Sequence, residues 1–323
     1  MQKIKWDSQA EFVEMAGNPL PGIGEVGYLH ARDGKKLRNA VFMPGQKPRA
    51  TVVLMSGYSE FIEKYFETIG DLLARNYCVA VLEWRGHGLS DGNSKNPQRL
   101  HLTRFDQNVE DLEDRFERLV QASCPPPYLG LAHSMGGQIS LRAARKHPDW
   151  FVALAQSAPM FGLRFTPAIE RNLRLALPWI ALFSGVDSWS RFDPPTRTAE
   201  NPSVNRVTSD EARYNRTEAL FAFDPRLQVN GRSLGWAMTT FATIRRTKSP
   251  RYLKRVRTPM FIGSAEKEML VDNAMHEHVA THVADGRCKV YQNAMHELMM
   301  EVDPVRRTFL DDVDVFFVEK AGI

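Results

Sequence analysis

The chain predicts an α/β architecture: a mostly parallel sheet of about eight strands flanked by helices, interrupted by a mainly helical insertion. Three observations predict it. Short continuous apolar runs such as ATVVLM, CVAVLEW, YLGLAH and TPMFIGSA alternate with segments of helical spacing. A run apolar at every position suits a strand buried on both faces, as in a parallel sheet. The alternation lapses after Pro159 and resumes near Thr258, which marks 161–257 as an insertion between two parts of one core, 1–160 and 258–323. A chain of 323 residues is ordinary for one α/β domain with such an insert.

The elements follow in order. EVGYLHARDG and KKLRNAVFMP alternate as an antiparallel pair turning at Asp33-Gly34. ATVVLMSG is the third strand, and EKYFETIGDLLARN follows it with helical spacing. CVAVLEW leads through RGHGLSDG to the acidic helix FDQNVEDLEDRFERLVQA. YLGLAHS, the helix MGGQISLRAARKHP and the strand WFVALAQSAP complete the first part. After the insertion come TPMFIGSA, a helix from about Val271 to Val283, the strand CKVYQNA and a last helix from about Pro304.

Composition narrows the function. The net charge of +4 is too mild to argue for a nucleic-acid partner, and no aromatic-basic stripe supports one, so none is expected. Cys78, Cys124 and Cys288 are scattered and odd in number, which argues against a disulfide framework or a zinc site. No signal-like apolar run opens the sequence, and no run of about 18 apolar residues occurs. A cytoplasmic, reduced protein is the expectation.

The stretch Leu129-Gly130-Leu131-Ala132-His133-Ser134-Met135-Gly136-Gly137 lies between an apolar strand and a helix. That context builds a nucleophile elbow, a tight turn that lifts a serine Oγ above the carboxyl edge of the sheet. The turn needs small residues two before and two after the serine. Gly136 meets the second requirement; Ala132 stands where the motif has glycine, one methyl larger. The alternative is a helix start with Ser134 as a mere cap.

A serine hydroxyl needs a base, and an elbow serine is followed in the chain by an acid and then a histidine. NAMHE occurs twice, at Asn273–Glu277 and Asn293–Glu297. His296 follows a strand in a short loop, at the sheet edge that carries Ser134, and is the expected base. His276 falls inside a helix and is expected at the surface. HEHVATH, with His276, His278 and His282, lacks the H-E-x-x-H spacing and a third ligand, and reads as solvated surface rather than a metal site. The acid belongs in the loop after TPMFIGSA, where Glu266, Glu268 and Asp272 are all candidates. Two main-chain N–H groups should bind the developing oxyanion: Met135, and one from Ser56-Gly57-Tyr58-Ser59-Glu60.

These stretches together resemble the lysophospholipase and monoacylglycerol lipase branch of the α/β-hydrolases, the serine-aminopeptidase-like group, over most of the chain outside the insertion. The family's H-G-x-G-E loop appears as Ser56-Gly57-Tyr58-Ser59-Glu60, which implies Tyr58 as the second oxyanion donor. Its D-x-R-G-H-G-x-S segment appears as Glu83-Trp84-Arg85-Gly86-His87-Gly88-Leu89-Ser90, which reads as structural. Its acid lies four residues before the Asp of a V-x-D segment. Asp272 matches that Asp, so the resemblance implies Glu268, a glutamate where aspartate is usual.

The insertion GLRFTPAIERNLRLALPWIALFSGVDSWS repeats Ile169, Leu173, Leu177 and Ile180 at helical spacing and carries Arg164, Arg171 and Arg174. An insertion at this point covers the serine. Its apolar residues either line an acyl-chain site or form the insert's own core; its arginines either meet a phosphate or a membrane surface, or are solvated. The basic run RRTKSPRYLKRVR reads as ordinary surface. The expectation is hydrolysis of a single-chain acyl lipid, a small-molecule ester, without metal or organic cofactor. A small-ester hydrolase or peptidase would share the constellation, and a non-enzymatic binding protein fits least because every required group is present.

Overall fold

The computed structural model describes residues 4–188 and 205–323, so the stretch 189–204 of the expected insertion lies outside them. The strands are β1 (Ser8–Gln9), β2 (Ile23–His30), β3 (Lys36–Met43), β4 (Ala50–Met55), β5 (Tyr77–Leu82), β6 (Arg99–Leu100), β7 (Tyr128–His133), β8 (Ala153–Ser157), β9 (Gly231–Arg232), β10 (Met260–Ala265) and β11 (Gly286–Tyr291). Nine of them form one sheet in the order β1-β2-β3-β5-β4-β7-β8-β10-β11; β6 and β9 pair in a separate ribbon. The strands from β5 across to β11 run parallel, while β1, β2 and β3 join antiparallel to their neighbours. The sheet has one strand more than expected, because β1 is two residues long and carries no periodicity of its own.

Every residue of β4 is buried, and the pleat divides them. Val53 and Met55 join Leu112, Phe116, Ile139 and Val279 in the core on one face, under α2 (Asp106–Arg115), α3 (Met135–Lys146) and α8 (Asn273–His282). Val52 and Leu54 join Ile69, Leu72, Phe309 and Phe317 on the other, under α1 (Phe66–Ala74) and α9 (Asp303–Ala321). Burial on both faces is why the sequence shows unbroken apolar runs. The segment Glu83–Ser90 is structural, as expected. Arg85 makes a fork to Asp111 at 2.6 and 2.7 Å, and Gly88 has φ +50° with the Glu83 carboxylate where a Cβ would stand.

Between β8 and β10 lie α4 (Pro167–Ser184), α5 (Glu211–Phe223), α6 (Leu234–Thr247) and the short α7 (Pro250–Leu253). Thr166 caps α4 by accepting from Ile169 N. Only part of the expected α4 stripe is inward: Leu177 and Ala181 pack on Leu234 and Phe241, with Leu173 beside them. Ile169 and Ile180 are exposed, as are Leu175, Trp179, Leu182 and Phe183, the last to 87%. Among the described residues, no helix is long and apolar enough to cross a membrane.

The helix expected over Val271–Val283 runs Asn273–His282. His276, expected at the surface, is fully buried. The face of α8 that carries it packs on the sheet. His276 Nε2 donates to Pro159 O at 2.8 Å, so Nδ1 accepts from Ser264 Oγ at 2.6 Å. His278 and His282 are half-buried rather than solvated; each bonds a main-chain carbonyl at 2.8 Å, of Lys248 and His278 respectively. These bonds tie the HEHVATH histidines to the backbone.

Candidate active site

The order of strands fixes where a site can form. From β4 the chain steps to β5 on one side and later to β7 on the other, so the carboxyl ends of β4 and β7 flank a crevice. Loop 56–60 leaves β4 there, and Ser134 leaves β7 there.

Ser134 is held at φ +47°, ψ −110°, a conformation an L-residue adopts only when its surroundings impose it. Its N–H donates to Ser157 O at 3.1 Å, and its carbonyl accepts from Met160 N at 2.8 Å and Gly137 N at 3.0 Å. A Cβ on Gly136 would stand 2.2 Å from Met55 O, so the close approach of α3 to β4 demands glycine. Ala132, paired in register with Met55 on β4, is fully buried, and the core accommodates its methyl group.

His296 Nε2 lies 3.0 Å from Ser134 Oγ, and Nδ1 lies 2.7 Å from Glu268 Oε2. All three residues are at most 8% exposed. Burial pushes the Glu268 carboxyl up, but the His296 hydrogen bond and charge and the N–H groups of Leu270 and Val271 overcome it and hold it near about 2. An ionised Glu268 accepts a hydrogen bond from Nδ1–H, which leaves Nε2 as the acceptor for the serine hydroxyl.

The other acid candidates are employed elsewhere. Asp272 caps α8, accepting from Ala274 N at 3.1 Å; Glu266 accepts from Asn293 N at 2.7 Å. Met135 is the first residue of α3, where N–H groups have no intrahelical acceptor. Tyr58 sits in loop 56–60, its ring edge-on to His87 at 6.0 Å and tilted against Trp236 at 5.6 Å.

The sequence reading missed the groups that brace this loop. Glu60, buried, accepts from Gly57 N, from the Tyr65 hydroxyl and from Lys64 Nζ at 2.8 Å. Lys64 Nζ also donates to Glu297 at 2.6 Å, so one ammonium ties the Tyr58 loop to the residue after His296. Burial raises the Glu60 carboxyl, while Lys64 and His133 bring it down to about 2. The rings of His133 and His296 lie 4.8 Å apart, and burial pushes His133 below its ordinary value. Glu60, His133 and Glu297 bring ligand atoms within 4.8 Å of one another, but Lys64 already supplies the cation between the two carboxylates. The one signal for Glu297 was its place beside His296.

Ser134 opens into a cavity of about 520 Å³. Its lining includes the apolar Leu163, Phe165, Met269 and Leu270 and the polar Tyr214, Thr217, Glu218, Asn230 and Arg232. Arg164 also lines it, its guanidinium donating to Glu268 O and its N–H to Leu270 O at 3.1 Å.

A parallel sheet with a strained elbow serine, facing a histidine and a buried carboxylate, defines an α/β-hydrolase. More particularly, the chain belongs to the family described as Serine aminopeptidase, S33, whose model matches residues 46–303. It is 30% identical over 278 residues to lysophospholipase L2 of Escherichia coli, covering 82% of this chain and 79% of that protein. It is 25% identical over 287 residues to a monoacylglycerol lipase of Mycolicibacterium smegmatis, covering 88% and 94%. Among solved structures, a soluble variant of monoglyceride lipase from Saccharomyces cerevisiae, in complex with a substrate analog, shares the fold with a TM-score of 0.73. The identity there is 21%, over 92% of this chain and 97% of that one.

Proposed function

We propose that this hydrolase cleaves the ester of a single-chain acyl lipid, a lysophospholipid first and a monoacylglycerol second, with Ser134 as nucleophile. The observation that carries the reading is the unbroken relay from Ser134 Oγ through His296 to Glu268, with contacts of 3.0 and 2.7 Å, whose serine and histidine line the cavity. His296 Nε2 takes the hydroxyl proton as Oγ attacks the acyl carbonyl. The oxyanion is bound by the N–H groups of Met135 and Tyr58. His296 then gives its proton to the departing alkoxide, the C–O bond breaks, and the acyl group stays on Ser134. Water enters, loses a proton to Nε2, and releases the fatty acid as Oγ regains its proton. Glu268 stays ionised and holds the imidazolium in place. Each step uses side chains and main-chain donors of this chain.

The name of lysophospholipase L2 at 30% identity supports the substrate class, as do those of the monoacylglycerol lipases. The apolar lining residues Leu163, Phe165, Met269 and Leu270 suit an acyl chain, since each buried CH₂ contributes about 0.8 kcal/mol. Residues 161–257 act as a cap over the serine. Contact with a membrane surface is part of the proposal, supported by Leu175, Trp179, Leu182 and Phe183 exposed on α4 near Arg171 and Arg174. We place the activity in the cytoplasm, on the free thiols Cys78, Cys124 and Cys288, the first two of which touch without forming a disulfide. The test is a panel of palmitoyl lysophospholipid, monopalmitoylglycerol, p-nitrophenyl acetate and a peptide amide. The expected preference is for the two lipids, abolished by Ser134→Ala. Preference for the acetyl ester or the amide, or turnover by Ser134→Ala, overturns the reading.

A further inference from the structure

His296 lies in neither helix nor strand: the chain leaves β11 at Tyr291 and enters a single 3₁₀ turn only at Leu298–Met300. Its main chain is therefore held by separate hydrogen bonds. Up to Ala294 the ties run to the acid loop, from Asn293 N to Glu266 at 2.7 Å and from Lys267 N to Ala294 O at 2.8 Å. From Met295 onward they run elsewhere. Met295 N donates to Glu301 Oε1 at 2.7 Å, and Glu297 N donates to Val207 O at 2.7 Å. The residues on either side of His296 each give a main-chain N–H, one to a buried carboxylate and one to the cap.

Glu301 itself also reaches the cap. It is fully buried; Oε1 accepts from Ser209 N at 3.0 Å, and Oε2 from Ser209 Oγ and from Val302 N at 3.1 Å. Three of its four donors are main-chain N–H groups, whose directions the backbone fixes. A carboxylate offers about four lone-pair sites, so this one is fully engaged. Beside it, Thr208 Oγ1 donates to Met300 O at 2.6 Å and an Arg213 Nη1 donates to Glu301 O at 2.8 Å. Thr208 and Ser209 stand just before Asp210, the N-cap of α5, and α5 supplies Tyr214 and Phe221 to the cavity wall. One carboxylate thus stands between a wall that a substrate meets and the peptide that carries the base.

We propose that Glu301 is a positioning residue for the reaction: it fixes His296 through Met295 N, and its bonds to Ser209 make that placement depend on the seating of the cap. The inference rests on His296 as the base for Ser134. Lys64 meets the side chain of Glu297 and not its main chain, so it replaces neither tie. Placement matters because a shift of about 1 Å at a reacting group costs about 10²-fold in rate.

The test separates the competence of folded enzyme from its amount. Ser134 is titrated with a fluorophosphonate: Oγ bonds phosphorus, fluoride leaves and His296 takes the hydroxyl proton. Final stoichiometry counts folded sites, and the labelling rate reports the base. Glu301→Gln keeps the shape and one acceptor oxygen. It should label fully, with the labelling rate and kcat for p-nitrophenyl butyrate lowered about tenfold or more and KM moved by less than about twofold. Ser209→Ala, which removes one bond on the cap side, should lower both rates about threefold. The two together should cost less than the product of the single losses, because both act through one carboxylate. Should Glu301→Gln not fold, Glu301→Asp withdraws the carboxylate from Met295 by one methylene and carries the same expectation at a smaller factor. An unchanged rate and kcat per labelled site, with only stoichiometry or urea stability lowered, makes Glu301 merely structural and overturns the proposal. Losses that multiply overturn the link to the cap. His296→Ala labelling at the wild-type rate overturns the assignment of the base instead, so the two failures are told apart.

Discussion

Asn273–Glu277 and Asn293–Glu297 are the same five residues in two conformations. The first opens α8, because Asp272 precedes it and accepts from Ala274 N as an N-cap. The second follows β11 as a loop. Asn293 takes φ +61°, and its N–H is bound by Glu266. Both histidines are buried, yet their partners differ. His276 is bonded to a hydroxyl and a carbonyl inside the core; His296 is bonded to a hydroxyl at a cavity wall and to a carboxylate. The imidazole is common to both. What separates them is the carboxylate, which stabilises a protonated ring, and the cavity, which admits a substrate.

The largest effect that can break this comparison is on turnover. His296→Ala should lower kcat/KM for a p-nitrophenyl ester by about 10³-fold or more. His276→Ala should instead cost about 2–4 kcal/mol of stability in urea unfolding, with folded enzyme still turning over. The reverse pattern would exchange the two roles.

The acids bonded to each copy sharpen it next. Glu268→Gln keeps the shape but not the charge and should lower kcat by about 10²–10⁴-fold. Asp272→Ala should leave kcat near wild type and cost about 1 kcal/mol as a lost cap.

The glutamates that end the two copies differ by less. Glu297→Gln breaks a largely buried pair with Lys64 and should destabilise by about 2–3 kcal/mol, read in thermal or urea unfolding. Glu277 is exposed, and Glu277→Gln should stay within about 0.5 kcal/mol.

The last effect appears only with pH. Burial lowers His276 from 6.5 to about 4. A histidine depressed on folding contributes stability in full above its unfolded value and loses it as pH falls toward its folded one. Wild-type stability should therefore decline from pH 6.5 to 4, and His276→Asn should remove up to about 3 kcal/mol of that decline. His87, also lowered to about 4 by burial, should account for a further share. Glu268, held near about 2, adds its own loss only below pH 4.5. Equal slopes for the wild type and His276→Asn would refute the buried, neutral assignment.

The parts legible in the sequence are those written in short stretches. The strands of the parallel sheet announce themselves because burial on both faces demands apolar residues at every position. The elbow at Ser134 is legible because Gly136 has Met55 O where a Cβ would go. The acid loop was legible as a place, and the family resemblance pointed within it to Glu268. What escaped was set at a distance. The pairing of β1 rests on two residues. The tie from Lys64 to Glu297 joins positions 233 apart in the chain. The outward apolar side of α4 has the composition of an inward one.

By itself, then, the sequence determined the layered α/β architecture, the strained serine turn and the histidine that follows the last strand. These depend on local sterics and on which residues water excludes. Only the tertiary structure decided which acid meets that histidine, that His276 is buried, and that one ammonium joins the two loops beside the serine. Those outcomes depend on which side chains the strand order brings together, and no local pattern records the partner of a buried polar group.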